Sequence, residues 1–398
     1  MPKATLDDVD VRGKNVLLRV DFNVPLHEGR VADDRRIRAA LPTITALRER
    51  GARTIIVTHL GRPGGRVDRS LTVGPVADRL GELLGVDVPV AADVIGSSAQ
   101  LLVRGLRDGD VAMLENVRFE AGEERDDAEL AGRLAAYADV FVNDAFGTAH
   151  RAHASTVGVA RLLPAVAGQL MARELEILQG VLDDPRRPLV GVLGGAKIST
   201  KLELLTTLAG RVDSLYIGGA MACTFFRARG AGTGRSLVEE DRVSMAREVL
   251  RSAEATPGTI HLPVDVVVAP RAAEGAPTEV VAWDAIPDDR MVVDIGPAAV
   301  AAITAAFASA ATVIWNGPLG IYEIEAFARG TREVARALGR SPAFSVVGGG
   351  DLDAAVADAG VSDSIDFIST GGGATLELLE GHDLPGVAAL RDREPVGS

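Results

Sequence analysis

The sequence predicts an α/β protein of two doubly wound parallel-sheet domains, joined by a helix and separated by a central cleft. Short β-branched runs alternate with longer Ala/Leu/Arg segments of helical period along the whole chain. That alternation marks βαβ units and a parallel sheet covered by helices on both faces. The 398 residues exceed the size at which a single core keeps growing, so two domains are expected. Hydrophobic residues make up 47% and aromatics only 4%, so both cores must pack on Ala, Val, Leu and Ile.

The strand runs fall at residues 15–20, 54–58, 111–114 and 140–143 in the first half, and at 189–193, 214–217, 312–315 and 344–347 in the second. Between the halves, residues 165–182 read as one long amphipathic helix, and the charged, proline-bounded stretch 183–188 stops it. The expected division is 1–170 for the first domain, 171–185 for the connecting helix and hinge, and 186–383 for the second domain. No short-period repeat and no low-complexity linker is present.

The formal net charge of −13 argues against nucleic acid or an anionic membrane as the main partner. Any anion site must be a local concentration of basic residues. The single cysteine, Cys223, leaves no internal disulfide framework and no cysteine-based zinc site. The first residues form no apolar signal region, and no run of 18 apolar residues occurs, so a soluble cytoplasmic protein is expected.

In parallel sheets ligands bind beyond the carboxyl ends of the strands, so the residues after each run are informative. In the first half these are Arg19, Asp21 and Asn23, then Arg36 at a helix start, His59, Leu60, Gly61 and Arg62, then Asn116 and Arg118, then His150, Arg151 and His153. Any one such arginine also fits an ordinary solvated side chain. Five of them together with these histidines fit a small substrate carrying phosphate and carboxylate.

The second half offers glycine, lysine and carboxylate instead. Lys197 and Lys201 are two of only four lysines in the chain, and they follow Gly194 and Gly195. They would share a face if a helix starts there, although a surface pair has the same spacing. Gly218 and Gly219, then Asn316 with Glu323, then Gly348, Gly349, Gly350 and Asp351, then Gly371, Gly372 and Gly373 close the other runs. Glycine at such a turn lets backbone N–H groups approach a phosphate at a helix start. Asp351 fits a Mg²⁺ ligand and Glu323 a ribose acceptor, and each also fits a helix cap or a solvated loop. Neither a P-loop nor a G-x-G-x-x-G fingerprint is present. No general base stands beside a nucleophile. A carboxylate acceptor, already ionised at pH 7, needs none.

The segments R-V-D-F-N-V-P, D-D-x-R-I-R-A-A-L-P-T-I, H-L-G-R-P, E-N-V-R-F, D-A-F-G-T-A-H-R-A-H-A-S-T, G-G-A-K-x-x-x-K, W-N-G-P-x-G, E-A-F-A-R-G-T, G-G-G-D, S-T-G-G-G-A-T-L-E-L-L-E-G and L-P-G-V-A-A-L occur in this order. From end to end the chain resembles the phosphoglycerate kinases. The resemblance implies two Rossmann-like domains and reversible transfer of a phosphoryl group between ATP and the carboxylate of 3-phosphoglycerate, giving 1,3-bisphosphoglycerate, in a closed cleft. It implies that Asp21, Asn23, Arg36, His59, Leu60, Gly61, Arg62, Arg118 and Arg151, with Arg19 nearby, hold the acid. Arg36 would face the reacting carboxylate, and Arg62, Arg118 and Arg151 the phosphate.

ATP or ADP with Mg²⁺ would meet Lys201, Gly219, Val292, Asn316, Glu323, Gly349, Gly350, Asp351 and Leu352, with Asp351 on the metal. Lys197, Lys201, Arg36 and the turn of Gly371, Gly372 and Gly373 would surround the transferred group. The resemblance also implies that residues 384–398 return to the first domain, and that the protein is a monomer acting in glycolysis or gluconeogenesis. Three positions depart from the family pattern: Ala220 and Val292 stand where it has glycines against the nucleotide base, and Leu352 where Ser or Thr is usual. They predict a narrowed base pocket and an altered nucleotide affinity or preference. Two other readings remain at this stage. One is a binding protein that kept the acid site and lost nucleotide use. The other is a kinase for a different phosphorylated acid.

Overall fold

The computed structural model describes residues 2–254 and 259–393. Two compact units make up the chain: one runs to Ile177 and resumes at His382, and the other is Leu178–Gly381.

In the first unit, β1 (Asn15–Arg19) leads into a short antiparallel ribbon, β2 (Leu26–His27) and β3 (Arg30–Val31). Then come β4 (Arg53–Val57), β5 (Val111–Met113), β6 (Val140–Asn143) and β7 (Ala165–Ala167). The main sheet is parallel in the order β5-β4-β1-β6-β7. Helices α1 (Arg35–Glu49), α2 (Gly74–Leu84), α3 (Ser97–Gly105), α4 (Ala128–Ala135) and the start of α5 (Gln169–Asp183) belong to this unit.

Val16, Leu17 and Leu18 are all fully buried, which is why β1 reads as an unbroken apolar run rather than an alternating one. Ile37, Ala40, Ile44 and Leu47 recur at helical spacing and give α1 its buried face. The side chain of Asp127 caps α4 by accepting from the N–H groups of Glu129 and Leu130 at 3.1 and 3.0 Å. In register, Arg19 lies beside both Val57 and Asn143, and Asn143 beside Ala167. The strand ends are therefore flush, and whatever follows them collects along one edge.

Residues 165–182 are not one helix. Ala165–Ala167 forms β7 against Phe141–Asn143, and α5 starts only at Gln169. A short run of small apolar residues has no period that separates a buried strand from a helical turn. The end of the described chain lies on this unit: Gly386, in α13 (Pro385–Ala388), donates to Ala149 O at 2.8 Å, and Lys3 bridges Asp392. Residues 394–398 of the expected returning tail lie outside the described residues.

The second unit holds β8 (Leu189–Leu193), α6 (Leu202–Ala209), β9 (Ser214–Ile217), α7 (Met221–Ala228), α8 (Val243–Glu254) and β10 (Thr259–His261). After β11 (Asp265–Ala269), β12 (Glu279–Ala282) and β13 (Met291–Ile295) come α9 (Pro297–Phe307), β14 (Thr312–Asn316), α10 (Arg329–Leu338), β15 (Phe344–Gly348), α11 (Gly350–Asp358), β16 (Phe367–Ser369) and α12 (Gly373–Glu380). A six-stranded parallel sheet runs β10-β9-β8-β14-β15-β16. Strands β11, β12 and β13 instead form a separate antiparallel sheet in the order β12-β11-β13. The doubly wound pattern does not anticipate that sheet. No helix lies between these strands to carry a parallel crossover, so the chain returns antiparallel. Among the described residues, no helix is long and apolar enough to cross a membrane.

Candidate active site

Two clusters of functional side chains occur, one on each unit. In the first unit, Arg19 at the end of β1 is fully buried. Its Nε donates to Ser155 Oγ at 2.8 Å, another N–H goes to the Val20 carbonyl, and Nη2 lies 3.3 Å from His59 Nδ1. The Glu123 carboxylate, also fully buried, accepts from Ser155 N at 2.9 Å and from Ser155 Oγ at 2.6 Å. Burial alone would raise the Glu123 pKa. The approach of His153 Nδ1, 3.6 Å away, and the charge of Arg19 more than offset this, and the carboxyl sits below its ordinary value. Burial, then the charges of Arg19, Arg118 and Arg36, hold the His59 imidazole well below its usual pKa, so it is neutral at pH 7.

Asp21 accepts from Arg36 Nη1 at 2.9 Å and lies 3.9 Å from His59 Nδ1. The main chain of Leu60 and Gly61 is clasped from three sides. Asn23 Oδ1 accepts from Gly61 N at 2.9 Å, Asn116 Nδ2 donates to Leu60 O at 2.8 Å, and Arg118 Nη1 donates to Gly61 O at 2.7 Å. Arg62, next in sequence, is exposed. Arg151 donates from Nε to His150 Nε2 at 3.0 Å, and its charge helps to depress the Arg118 pKa after burial. The strand-end arginines thus gather with a neutral imidazole, an arrangement suited to an anion. Glu123 and Ser155 were not singled out by the sequence. Glu123 lies in the charged run 120–127, where nothing distinguishes the one buried acid, and Asn116 and His153 stood in motifs without an assigned role.

The second cluster lines a 550 Å³ cavity in the other unit. Its walls follow from register: Leu193 pairs with Ile217 on one side and Asn316 on the other, Asn316 with Gly348, and Gly348 with Ser369. The turns after five adjacent strands therefore open onto one edge. Lys201, Gly219, Val292, Asn316, Glu323, Gly349, Gly350, Asp351, Leu352, Gly372 and Gly373 all line the cavity. Gly371 and Lys197 do not.

The two lysines do not share a helical face. Helix α6 begins at Leu202, and residues 194–201 form a turn tied down by Ser199 N donating to Glu239 at 3.0 Å. Glycines after β8 relax the chain before the helix can start. Lys197 is exposed, whereas Lys201 Nζ donates to Asn316 Oδ1 and, at 3.3 Å, to Asn316 O. Asn316 Nδ2 in turn donates to Gly348 O at 2.6 Å, linking β14 to β15. Burial lowers the Lys201 pKa to about 8, against an upward pull from the Asp351 charge. Gly219 has φ +69°, and a Cβ there would run into the backbone of Gly195.

Asp351 sits exposed in the first turn of α11, its carboxylate open to the cavity edge. An oxygen donor beside phosphate-sized space suits Mg²⁺, which is usually held by one or two carboxylates plus substrate phosphates. Asp294, unassigned by the sequence, also lines the cavity. Burial pushes its carboxyl up to about 7, while it accepts from Gly330 N at 2.6 Å and Ile295 N at 2.9 Å. Leu352 turns into the core of the unit and is fully buried, while Val292 is 7% exposed.

The sequence model of the family described as "Phosphoglycerate kinase" matches residues 6–382. A phosphoglycerate kinase of Pelotomaculum thermopropionicum is 53% identical over 393 residues, spanning 99% of this chain and 100% of the relative. Among solved structures, the phosphoglycerate kinase of Coxiella burnetii superposes with a TM-score of 0.89 at 41% identity, covering 98% of each chain. That of Pyrococcus horikoshii gives 0.85 at 36% identity, again over 98% of each. On its sequence, its fold and these likenesses, the chain belongs to the phosphoglycerate kinase family.

Proposed function

We propose that the protein reversibly transfers a phosphoryl group between ATP and the carboxylate of 3-phosphoglycerate, giving 1,3-bisphosphoglycerate. One observation beyond family membership supports this most: an arginine-rich cluster on one unit and, on the other, a glycine-walled cavity with a single half-buried lysine. These are the needs of a small phosphorylated acid and of a nucleotide. In this reading Arg62, Arg118 and Arg151 take the substrate phosphate. Asp21 and Asn23 meet its hydroxyl, neutral His59 offers a hydrogen bond without charge, and Arg36 faces the carboxylate.

On the other unit, Glu323 accepts from the ribose, and the N–H groups of the turns at Gly349, Gly350, Gly372 and Gly373 approach the phosphates. Asp351 holds Mg²⁺, which supplies charge neutralisation to the phosphates when bound. Lys201, Lys197 and Arg36 stabilise charge on the group in transit. The acceptor is already a carboxylate at pH 7, so catalysis is positioning and electrostatics rather than proton removal. The acid-binding and phosphate-binding groups belong to different units, so in-line transfer requires the units to close on both substrates, which also keeps water from the acyl phosphate. A cytoplasmic monomer is part of the same reading.

A coupled assay with ATP, with GTP and without nucleotide tests the activity, and no 1,3-bisphosphoglycerate with either nucleotide contradicts it. Solution scattering tests closure: the radius of gyration should be smaller with both ligands than with either alone.

A further inference from the structure

The first unit has another cavity, at the opposite edge of its sheet. It measures 470 Å³ and is lined by Asn15, Arg53, Gln100, Arg104, Arg133 and Tyr137 among others, with no carboxylate in its wall. That volume is in the range of small-molecule sites. Asn15 and Arg53 open β1 and β4 and are paired in register, whereas Arg19 and Val57 close the same strands. Gln100 and Arg104 stand four apart on α3 and share one helix face, while Arg133 lies in the last turn of α4 and Tyr137 just beyond its end.

Most of the donors here are uncommitted. Arg53 gives Nε to Asp108 at 2.9 Å and Arg133 gives one N–H to Ile95 O at 2.6 Å, which leaves the rest of both guanidinium groups. Arg104 has no hydrogen bond or ion pair among the described residues. Tyr137 is 8% exposed, and its hydroxyl is buried without a hydrogen-bond partner, as is Asn15 Oδ1. Three carboxyls lie outside the wall. Asp108 pairs with Arg53, Asp93 accepts from the N–H groups of Gly96, Ser98 and Ala99, and Glu120, its pKa raised by burial, feels the charge of Arg133. The wall itself carries only guanidinium groups and neutral side chains, so an anion entering the cavity meets charge-assisted donors and no lining carboxylate.

We propose that this cavity binds a small polyanion carrying two or more phosphate or carboxylate groups, independently of the arginine cluster at the other edge of the sheet. The guanidinium groups of Arg53, Arg104 and Arg133 supply charge-assisted hydrogen bonds, and the Tyr137 hydroxyl and Gln100 amide supply neutral ones.

Amide spectra of the ¹⁵N-labelled full chain test this, titrated with inorganic pyrophosphate, with citrate, and with sodium chloride at matched ionic strength. Saturable shifts at residues 95–104 and 133–137 with pyrophosphate or citrate, but not with chloride, are expected, and the better of the two identifies the group recognised. Arg104→Glu, on an exposed side chain, should weaken this binding by about tenfold or more. It should leave pyrophosphate shifts near Arg62 and the KM for 3-phosphoglycerate unchanged. Arg133→Gln should act in the same direction. Shifts that only follow ionic strength, or that persist undiminished in Arg104→Glu, would overturn the proposal and leave three solvated arginines.

Discussion

In the proposed function, the arginine cluster of the first unit and the glycine-walled cavity of the second meet the same demand, binding anions, with different materials. In the first, cationic side chains are fixed by other side chains: Glu123 orients Ser155, Ser155 meets Arg19, and Asp21 holds Arg36. In the second, flush strand ends present backbone turns, and one half-buried ammonium is fixed by Asn316. The first site should therefore fail when a charge or its support is removed. The second should fail when Lys201 is lost or when bulk enters the turns. Separate chemistries suit a substrate read as a compact set of charges and one read along an extended phosphate chain.

The largest expected effect is on the support in the first unit. Glu123→Ala leaves the buried Arg19 without its carboxylate relay, and uncompensated buried charge costs about 3–5 kcal/mol. Chemical denaturation should show that loss, and Glu123→Gln, which keeps an acceptor for Ser155, should recover part of it. An unchanged unfolding midpoint for Glu123→Ala would mean that Arg19 is held by other groups.

Next comes Lys201→Ala, which should lower turnover by ~10²–10³, about 3–4 kcal/mol, while 3-phosphoglycerate binding stays nearly constant. Turnover within about threefold of the parent would remove Lys201 from the chemistry. The same residue sets a pH dependence. Its pKa is lowered to about 8, so the ammonium is present below that pH and lost as pH rises through it. The kcat/KM for MgATP, which reports the free enzyme, should fall above pH 8. A profile flat to pH 9.5 would show that the charge of Lys201 does not matter before the nucleotide binds.

A smaller contrast separates two arginines of one cluster. Arg36→Ala should lower kcat more than it raises the KM for 3-phosphoglycerate, and Arg62→Ala should do the reverse. Equal increases in KM with kcat intact would make Arg36 only another phosphate clamp. The smallest effect concerns the cavity wall, where Ala220 and Val292 face the space expected for the base. The Ala220→Gly, Val292→Gly double variant should bind ATP more tightly and discriminate better against GTP. If the parent already does both as well, these side chains are packing variation. Leu352 lines the same cavity but packs into the core, so Leu352→Ser should change nucleotide binding less than the double variant does.

The residues that follow strands were legible because fully buried parallel strands are apolar runs, and such runs announce their ends. Arg19, His59, Asn316 and Gly349 could all be found in that way. Other features depend on contacts between distant segments, which local pattern does not encode. The three residues of β7 are helical or extended according to what lies beside them. The antiparallel sheet of β11, β12 and β13 follows from a missing crossover helix rather than from any positive signal. Lys197 and Lys201 have helical spacing, but the glycines after β8 delay the helix until Leu202. Glu123 is one acid among several in its run, and only Ser155 and His153, some thirty residues later, make it the buried one.

The account rests most on the division of labour between side-chain charge in one unit and backbone turns with Lys201 in the other. A crystal structure with 3-phosphoglycerate and MgADP bound tests that division most directly. The account predicts the acid's phosphate within hydrogen-bonding distance of Arg62, Arg118 and Arg151, and the nucleotide phosphates against the turns at Gly349, Gly350, Gly372 and Gly373, with the metal on Asp351. An acid phosphate seated away from those arginines, or a nucleotide outside the cavity lined by Val292 and Asn316, would contradict it.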